Sequence, residues 1–441
     1  MSYSTRKKRV VKEFREALAS GKTVGLGKKT SNLFRHRKGN RVKVDVSDFN
    51  HVLHIDTKKG FCEVEGMTTY EELVDATLQK GFMPTVVPEL KTITIGGAFT
   101  GVGIESSSFK YGLVHETVLE CEILLSDGRV ITCSPRKNSD LFYGFPNSYG
   151  SLGYVLKLKV KIVPVKDYVK IQHQRFSTAQ DYFKAVEKAC KRKDLDFVDG
   201  SIFSPQEYYL TTGTFVDSAP HLSDYTGRNM YFKSIKEASE DYLCVKDYIW
   251  RWDTDWFWCS KHFGVQNPVV RFFWPKKLLC SKTYWTIRSW YTKSGLSALM
   301  SKVSGRKESI IQDVEIPVEH AATFITWFLK TIGVTPVWMC PTRAYKGKYP
   351  FTLYPLDAKK LYINFGFWDV KKTNKPPGYY NRRIEKKVRE LKGMKSLYSD
   401  AYYSEEEFWE IYPKRVYLQL KKKYDPQGKL KGLYEKVVKR I

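Results

Sequence analysis

Residues 88–111, PELKTITIGGAFTGVGIESSSFKY, carry four glycines and three consecutive serines. Gly96, Gly97, Gly101 and Gly103 let a backbone approach a ligand closely or take a positive φ. Thr94, Thr100, Ser106, Ser107 and Ser108 add hydroxyls, and hydroxyls beside successive backbone amides suit phosphate oxygens. Such a stretch can cradle a large phosphorylated cofactor; the plainer alternative is a glycine-rich turn. The spacing is neither GxGxxG after a strand nor GxxxxGK[ST], so neither the dinucleotide fingerprint nor a P-loop is present.

Other residue types narrow the chemistry. The eight cysteines are scattered with no CxxC or Cys/His spacing, so no metal site is expected. They read as reduced core residues, in keeping with a reducing cytoplasm. Seven of the eleven tryptophans fall within residues 248–290. That segment can be core, the wall of an apolar pocket, or a belt facing lipid headgroups. Glu105 lies in the glycine-serine segment and can orient a ribose hydroxyl or a lysine, whereas Glu122 reads as an ion pair holding the loop.

The elements that must position these groups are legible in part. Residues 42–46, 51–55 and 61–64 read as strands. A helix follows, with Thr68 or Thr69 as N-cap, Glu71 and Glu72 in its first turn and Gly81 closing it. Residues 120–133 read as a hairpin around an SDG turn, and 139–143 as a short helix. Over 154–163 apolar residues alternate with Lys157, Lys159 and Lys161, a strand with one wet face. Pro164 is a boundary. Beyond it, strands at 308–317, 334–340 and 361–368 with a helix at 320–332 predict an antiparallel sheet with helices on one face. The tail, 385–441, reads as helical and lysine-rich.

The chain of 441 residues exceeds one typical core. Its 74 basic and 47 acidic side chains leave a net charge of +27, which attracts polyanions. No nucleic-acid motif accompanies it, which leaves a solvated surface or an anionic membrane surface as the partner. The N-terminus is a short basic helix without a signal core, and no stretch reaches membrane-span length, so the expectation is a cytoplasmic protein, at most peripheral on membranes.

The segment 88–111, continued through SDGRV and NSDLFYGFPNSYGSLGYV, resembles the FAD-binding (PCMH-type) domain of the vanillyl-alcohol-oxidase and p-cresol-methylhydroxylase superfamily, and within it the Δ24-sterol reductases. ESIIQDVEIPV, VWMCP and SDAYYSEEEFWEIY follow in the same order, so the likeness covers roughly residues 40–441. The resemblance implies an α+β fold in two lobes: an FAD-binding domain at 1–165, a cap or substrate domain at 166–385, and a helical segment at 386–441 that returns to the active site. It assigns FAD to Thr94, Ile95, Gly96, Gly97, Ala98, Phe99, Thr100, Gly101, Val102, Gly103, Ile104, Glu105, Ser106 and Ser107, with Gly150 and Gly153 as a second contact. Residues 25–32 would be a third, in a loop less glycine-rich than in other members. That loop holds no histidine, and nothing marks His115 as a tether, so the FAD is expected to be non-covalent.

The implied activity is reduction of an isolated C=C bond in a sterol or related isoprenoid lipid, with NADPH as electron donor. An isolated alkene is a poor hydride acceptor. It must first be protonated, so that hydride meets a tertiary cation. This needs a buried acid and a cation-tolerant aromatic wall. Asp313 and Tyr402 are the candidate acids, and Gln312 and Trp274 the candidate substrate contacts; each has a purely structural alternative. The competing function is an FAD-dependent alcohol or sugar dehydrogenase or oxidase, or, with the fold alone retained, a binding protein.

Overall fold

The structure is a computed structural model that describes residues 1–21, 24–28, 32–35, 41–294, 305–344 and 350–441. It is an α+β protein. A short parallel pair, β1 (Val24–Gly27) with β2 (Val42–Asp45), precedes a mixed-length antiparallel sheet of β3 (Val52–Asp56), β4 (Phe61–Glu65), β5 (Phe82–Pro84), β6 (Val118–Leu124), β7 (Val130–Cys133) and β8 (Tyr154–Pro164). Its order is β3-β4-β8-β6-β7, with β5 also on β8. The lysine face of β8 is only partly wet. Lys157 lies 3.3 Å from Glu122 on β6 and 3.6 Å from Glu63 on β4, so cross-strand ion pairs cover it. Glu122 also pairs with Lys7 at 2.9 Å.

Two local predictions show why the sequence folds as it does here. Helix Tyr70–Leu78 opens on a reciprocal capping box between Thr69 and Glu72, and Gly81 closes it at φ +73°. The glycine-serine segment, expected as an open loop, instead winds Ile95–Gly101 into a helix capped by the Thr94 hydroxyl on the Gly97 amide, 3.2 Å. A Cβ on Gly96 would sit 2.5 Å from the Gly66 carbonyl and 2.8 Å from Val155, so the bare glycine is what lets this helix lie against β8.

The second sheet has eight strands among the described residues: β9 (Tyr168–Phe176), β10 (Phe197–Ser204), β11 (Glu207–Val216), β12 (Glu240–Cys244), β13 (Lys307–Pro317), β14 (Val337–Arg343), β15 (Leu361–Lys372) and β16 (Met394–Lys395). Every pairing is antiparallel, in the order β12-β9-β11-β10-β14-β15-β13-β16. Successive side chains point to opposite faces. Ile310, Val314, Val337, Met339, Ile363, Phe365 and Phe367 share a core with helices Ala179–Ala189, Val318–Thr331 and Tyr379–Glu390. The alternate residues, among them Trp338, Cys340 and Trp368, pack on the opposite side with the core of the first sheet. All eight cysteines are free, and among the described residues no helix is long and apolar enough to cross a membrane.

Candidate functional site

One cavity lies between the first sheet and the bare face of the second. Its wall draws on residues 25–28 and 32–35, on 88–104, on Tyr149–Val155 of the turn into β8, and on Trp256, Phe257, Asp313, Trp338, Trp368, Ser396, Tyr398 and Lys436. Thr94, Gly96, Gly97, Ala98, Thr100, Gly101, Val102, Gly103, Ile104, Gly150 and Gly153 all line it, as does Asp313. Residues 29–31 of the first loop lie outside the described residues.

Contacts order the cavity from one end to the other. Lys436 bonds the Gly150 carbonyl at 2.5 Å and lies 5.6 Å from the Tyr154 ring, whose hydroxyl reaches the Val24 carbonyl at 3.2 Å. Arg35 stacks on Tyr149 at 4.7 Å and donates to the Leu397 carbonyl, leading toward Tyr398. Beyond lie the aromatic rings: Phe257 on Trp368 at 4.3 Å, Phe257 on Trp338 at 5.6 Å, and Trp256 on Phe34 at 5.9 Å.

The donor set at the glycine end fits a diphosphate. Lys28, Arg35, Arg41 and Lys436 border walls that are largely backbone, and a Cβ on Gly101 would meet nothing nearer than the Tyr149 hydroxyl at 3.6 Å. FAD therefore fits the residues present, though not as the sequence suggested. The amides of Gly96, Gly97 and Gly103 already bond the Gly66 carbonyl, the Thr94 hydroxyl and the Ala98 carbonyl. Cationic side chains, rather than a row of free amides, carry the attraction for the anion.

Several predicted contacts are turned away from the cavity. Ile95 and Phe99 are buried in the core under their helix. Glu105 faces Arg251 at 3.2 Å, alongside Glu89 at 3.0 Å and Asp199 at 2.9 Å, all buried. Ser106 is bonded to Tyr248 at 3.2 Å, and Ser107 donates to the Thr85 carbonyl at 2.7 Å. These residues join the first sheet to the second. Gln312 projects from β13 to the helix-covered face and donates to Asn381 at 2.6 Å. Tyr402 lies over Gly378, held by its amide on Glu385 at 3.1 Å. Trp274 ends helix Pro268–Phe273 outside the cavity wall. His115 is buried against Phe351 at 4.5 Å, outside this wall, and burial pushes its imidazole down to about 3.

The tryptophan-rich segment has no single place in the fold. Trp250, Trp252 and Trp258 are core, Trp256 lines the cavity, and Trp290 is exposed.

Asp313 is the acid at the aromatic end. Its Oδ1 accepts from Asn364 at 2.8 Å, and it accepts from the Tyr398 hydroxyl, which itself receives the Trp368 indole N–H at 3.0 Å. Among the described residues no cation is paired with it. Burial pushes it up to about 6, against the pull of the two hydrogen bonds. Two positions further along the same face, Glu315 accepts from Tyr354 and is pushed up to about 8 by burial. Tyr398, Trp368, Trp338, Arg35 and Lys436 escaped sequence reasoning. Tyr398 stands in an irregular stretch where no period assigns a face, and the others come from elements far apart in the chain.

A profile described as an FAD binding domain matches residues 5–134. Delta(24)-sterol reductase of Homo sapiens is 30% identical over 88% of this chain and 76% of its own length. Delta(24)-sterol reductase of Arabidopsis thaliana is 24% identical over 91% and 77%. Cytokinin dehydrogenase 1 of Arabidopsis thaliana is 27% identical over 33% of this chain and 25% of its own. The likeness to the sterol reductases thus covers most of this chain, and on that extent the chain belongs to the Δ24-sterol reductase family of FAD-binding proteins.

Proposed function

We infer that this protein is an FAD-dependent reductase of an isolated C=C bond in a sterol side chain or a related isoprenoid lipid, with NADPH as electron donor. The observation that carries the reading is a buried acid, Asp313, whose proton affinity burial raises and whose described hydrogen-bond partners are neutral, set in an aromatic wall that shares one cavity with a cationic, glycine-walled end. FAD, when bound, supplies hydride. Lys28, Arg35, Arg41 and Lys436 would hold its diphosphate. Asp313 holds the proton the alkene needs, and Tyr398 and Asn364 fix the orientation of the carboxyl. The rings of Trp256, Phe257, Trp338 and Trp368 exclude water and favour the developing cation by about 0.5–2 kcal/mol each. Protonation at one alkene carbon and hydride at the other add two hydrogens, and NADPH leaves as NADP+.

In this reading residues 1–165 form the FAD-binding lobe, 166–385 the cap that presents Asp313, and 386–441 the returning segment that supplies Tyr398 and Lys436. The protein works in the cytoplasm, peripheral to membranes, a placement supported by its charge of +27. Anaerobic mixing of the FAD-loaded protein with NADPH tests it. The flavin absorbance should bleach and return on adding a Δ24-unsaturated sterol, with product heavier by two hydrogens. Bleaching by an alcohol instead, with recovery only on oxygen, would assign the protein to the dehydrogenases and oxidases.

A further inference from the structure

Helix Pro268–Phe273 is anchored on one side and bare on the other. Its Arg271 is buried and bonds both carboxylate oxygens of Asp255 at 2.6 and 3.1 Å, along with the Gly227 carbonyl at 2.8 Å and the Asn229 carbonyl at 3.2 Å. At a helical turn of 3.6 residues, Val269, Val270, Phe272 and Phe273 share an arc of about 160° on the opposite side. They are exposed by 67%, 40%, 57% and 77% respectively. The two phenylalanine rings lie 5.1 Å apart, and exposed Leu278 follows on the next turn.

Single exposed apolar residues are ordinary, but a cluster projecting from an anchored helix marks an interaction surface. Cations border this one. Arg228 lies 4.5 Å over the Phe272 ring, and Lys276 and Lys277 stand exposed between Phe273 and Leu278, Lys276 paired with Asp224 at 2.7 Å. Apolar side chains set among cations match the boundary of a bilayer, where acyl chains meet anionic headgroups. Asp255, which anchors the helix, immediately precedes Trp256 and Phe257 of the cavity wall, so the surface adjoins the aromatic end of the site.

We propose that residues 268–278 are the surface by which this protein docks on an anionic lipid bilayer. The inference deepens the lipid-reductase reading by naming where the membrane meets the protein, and its deciding readout is vesicle flotation rather than turnover. The full-length, FAD-loaded protein is floated with phosphatidylcholine vesicles containing about 30% phosphatidylserine, and with phosphatidylcholine alone. The protein should float with the anionic vesicles. The double variant Phe272→Ser/Phe273→Ser should lower the bound fraction by at least about tenfold, and Lys277→Glu by a smaller factor. Flavin absorbance and turnover on detergent-dispersed sterol should stay unchanged in both. A wild-type protein left behind by anionic vesicles would overturn the proposal. So would a double variant that floats as well as the wild type, since charge spread over the whole surface would then suffice. Loss of flotation leaves the reductase reading standing, and an inactive protein that floats leaves the docking surface standing.

Discussion

Two acidic clusters lie on the same face of the eight-stranded sheet and differ in one respect. Around Asp199 on β10, three buried carboxyls, Asp199, Glu89 and Glu105, converge on the Arg251 guanidinium, and the Trp338 indole donates to Asp199 at 3.2 Å. Around Asp313 on β13, the partners are the neutral donors Asn364, Tyr398 and, for Glu315, Tyr354. Burial disfavours charge at both places, but among the described residues only the first offers a cation. Arg251 holds its charge firmly, while burial and then Glu105 push Glu89 well up. The first cluster ties the glycine-serine segment to the second sheet. The second holds Asp313 and Glu315 among neutral donors, with burial raising both and Asp313 at the cavity wall. The comparison teaches that burial raises acids in both clusters, while the partners differ: a shared guanidinium ties the first into the structure, and neutral donors leave Asp313 facing the cavity.

The largest expected effect falls on catalysis. Asp313→Asn should lower alkene reduction by about 10²–10⁴-fold, as loss of a general acid does. FAD content, read by absorbance, should stay intact, because Asp313 lies at the aromatic end. A mutant that keeps full turnover would remove the chemical half of the comparison. Arg251→Met should act on stability instead, costing about 3–5 kcal/mol in denaturant unfolding by stranding three buried acids.

The pH dependence sharpens the contrast. The protonated form of Asp313 is the active one, so turnover should fall as pH rises through about 6. Tyr398→Phe removes a hydrogen bond that lowers that value, and should move the limb upward. Glu315 and Tyr398 flank the group, and Glu315→Gln should preserve the limb. Stability follows the same sign. A carboxyl raised in the folded state contributes fully below its unfolded value and loses that contribution as pH rises, toward about 6 for Asp313 and about 8 for Glu315. Chemical denaturation across pH 4–8 should therefore show stability declining, less steeply in Asp313→Asn/Glu315→Gln. The smallest effect on catalysis belongs to Gln312→Leu. It strands Asn381 at about 1–3 kcal/mol of stability, yet should leave turnover within about twofold because the side chain faces the helices.

The neighbours Gln312 and Asp313 show how far sequence reading reached. The strand at 307–317 was legible from its apolar alternation, and that same alternation forbids both residues from facing one cavity. Which of them faces it depends on the side of the sheet that the helices cover. The segment 94–107 was legible as a unit, and its first half does line the cavity. Glu105 and Ser106, at its end, turn into the interface with Arg251 and Tyr248, partners about 140 residues away that no local pattern reveals.

What the sequence determined by itself is local: the Thr69–Glu72 capping box, the antiparallel strands and their faces, and the ordered motifs that carry the family. These follow from backbone preferences and hydrophobic periods within short windows. What only the tertiary structure decided is company. It brought Arg35, Tyr149 and Lys436 to one end of the cavity and Trp338, Trp368 and Tyr398 around Asp313 at the other. It also gave Asp199 a cation and surrounded Asp313, among the described residues, with neutral donors. Proton affinity in a buried site is set by which charges share the low-dielectric space, and that depends on strand order and on where the tail returns.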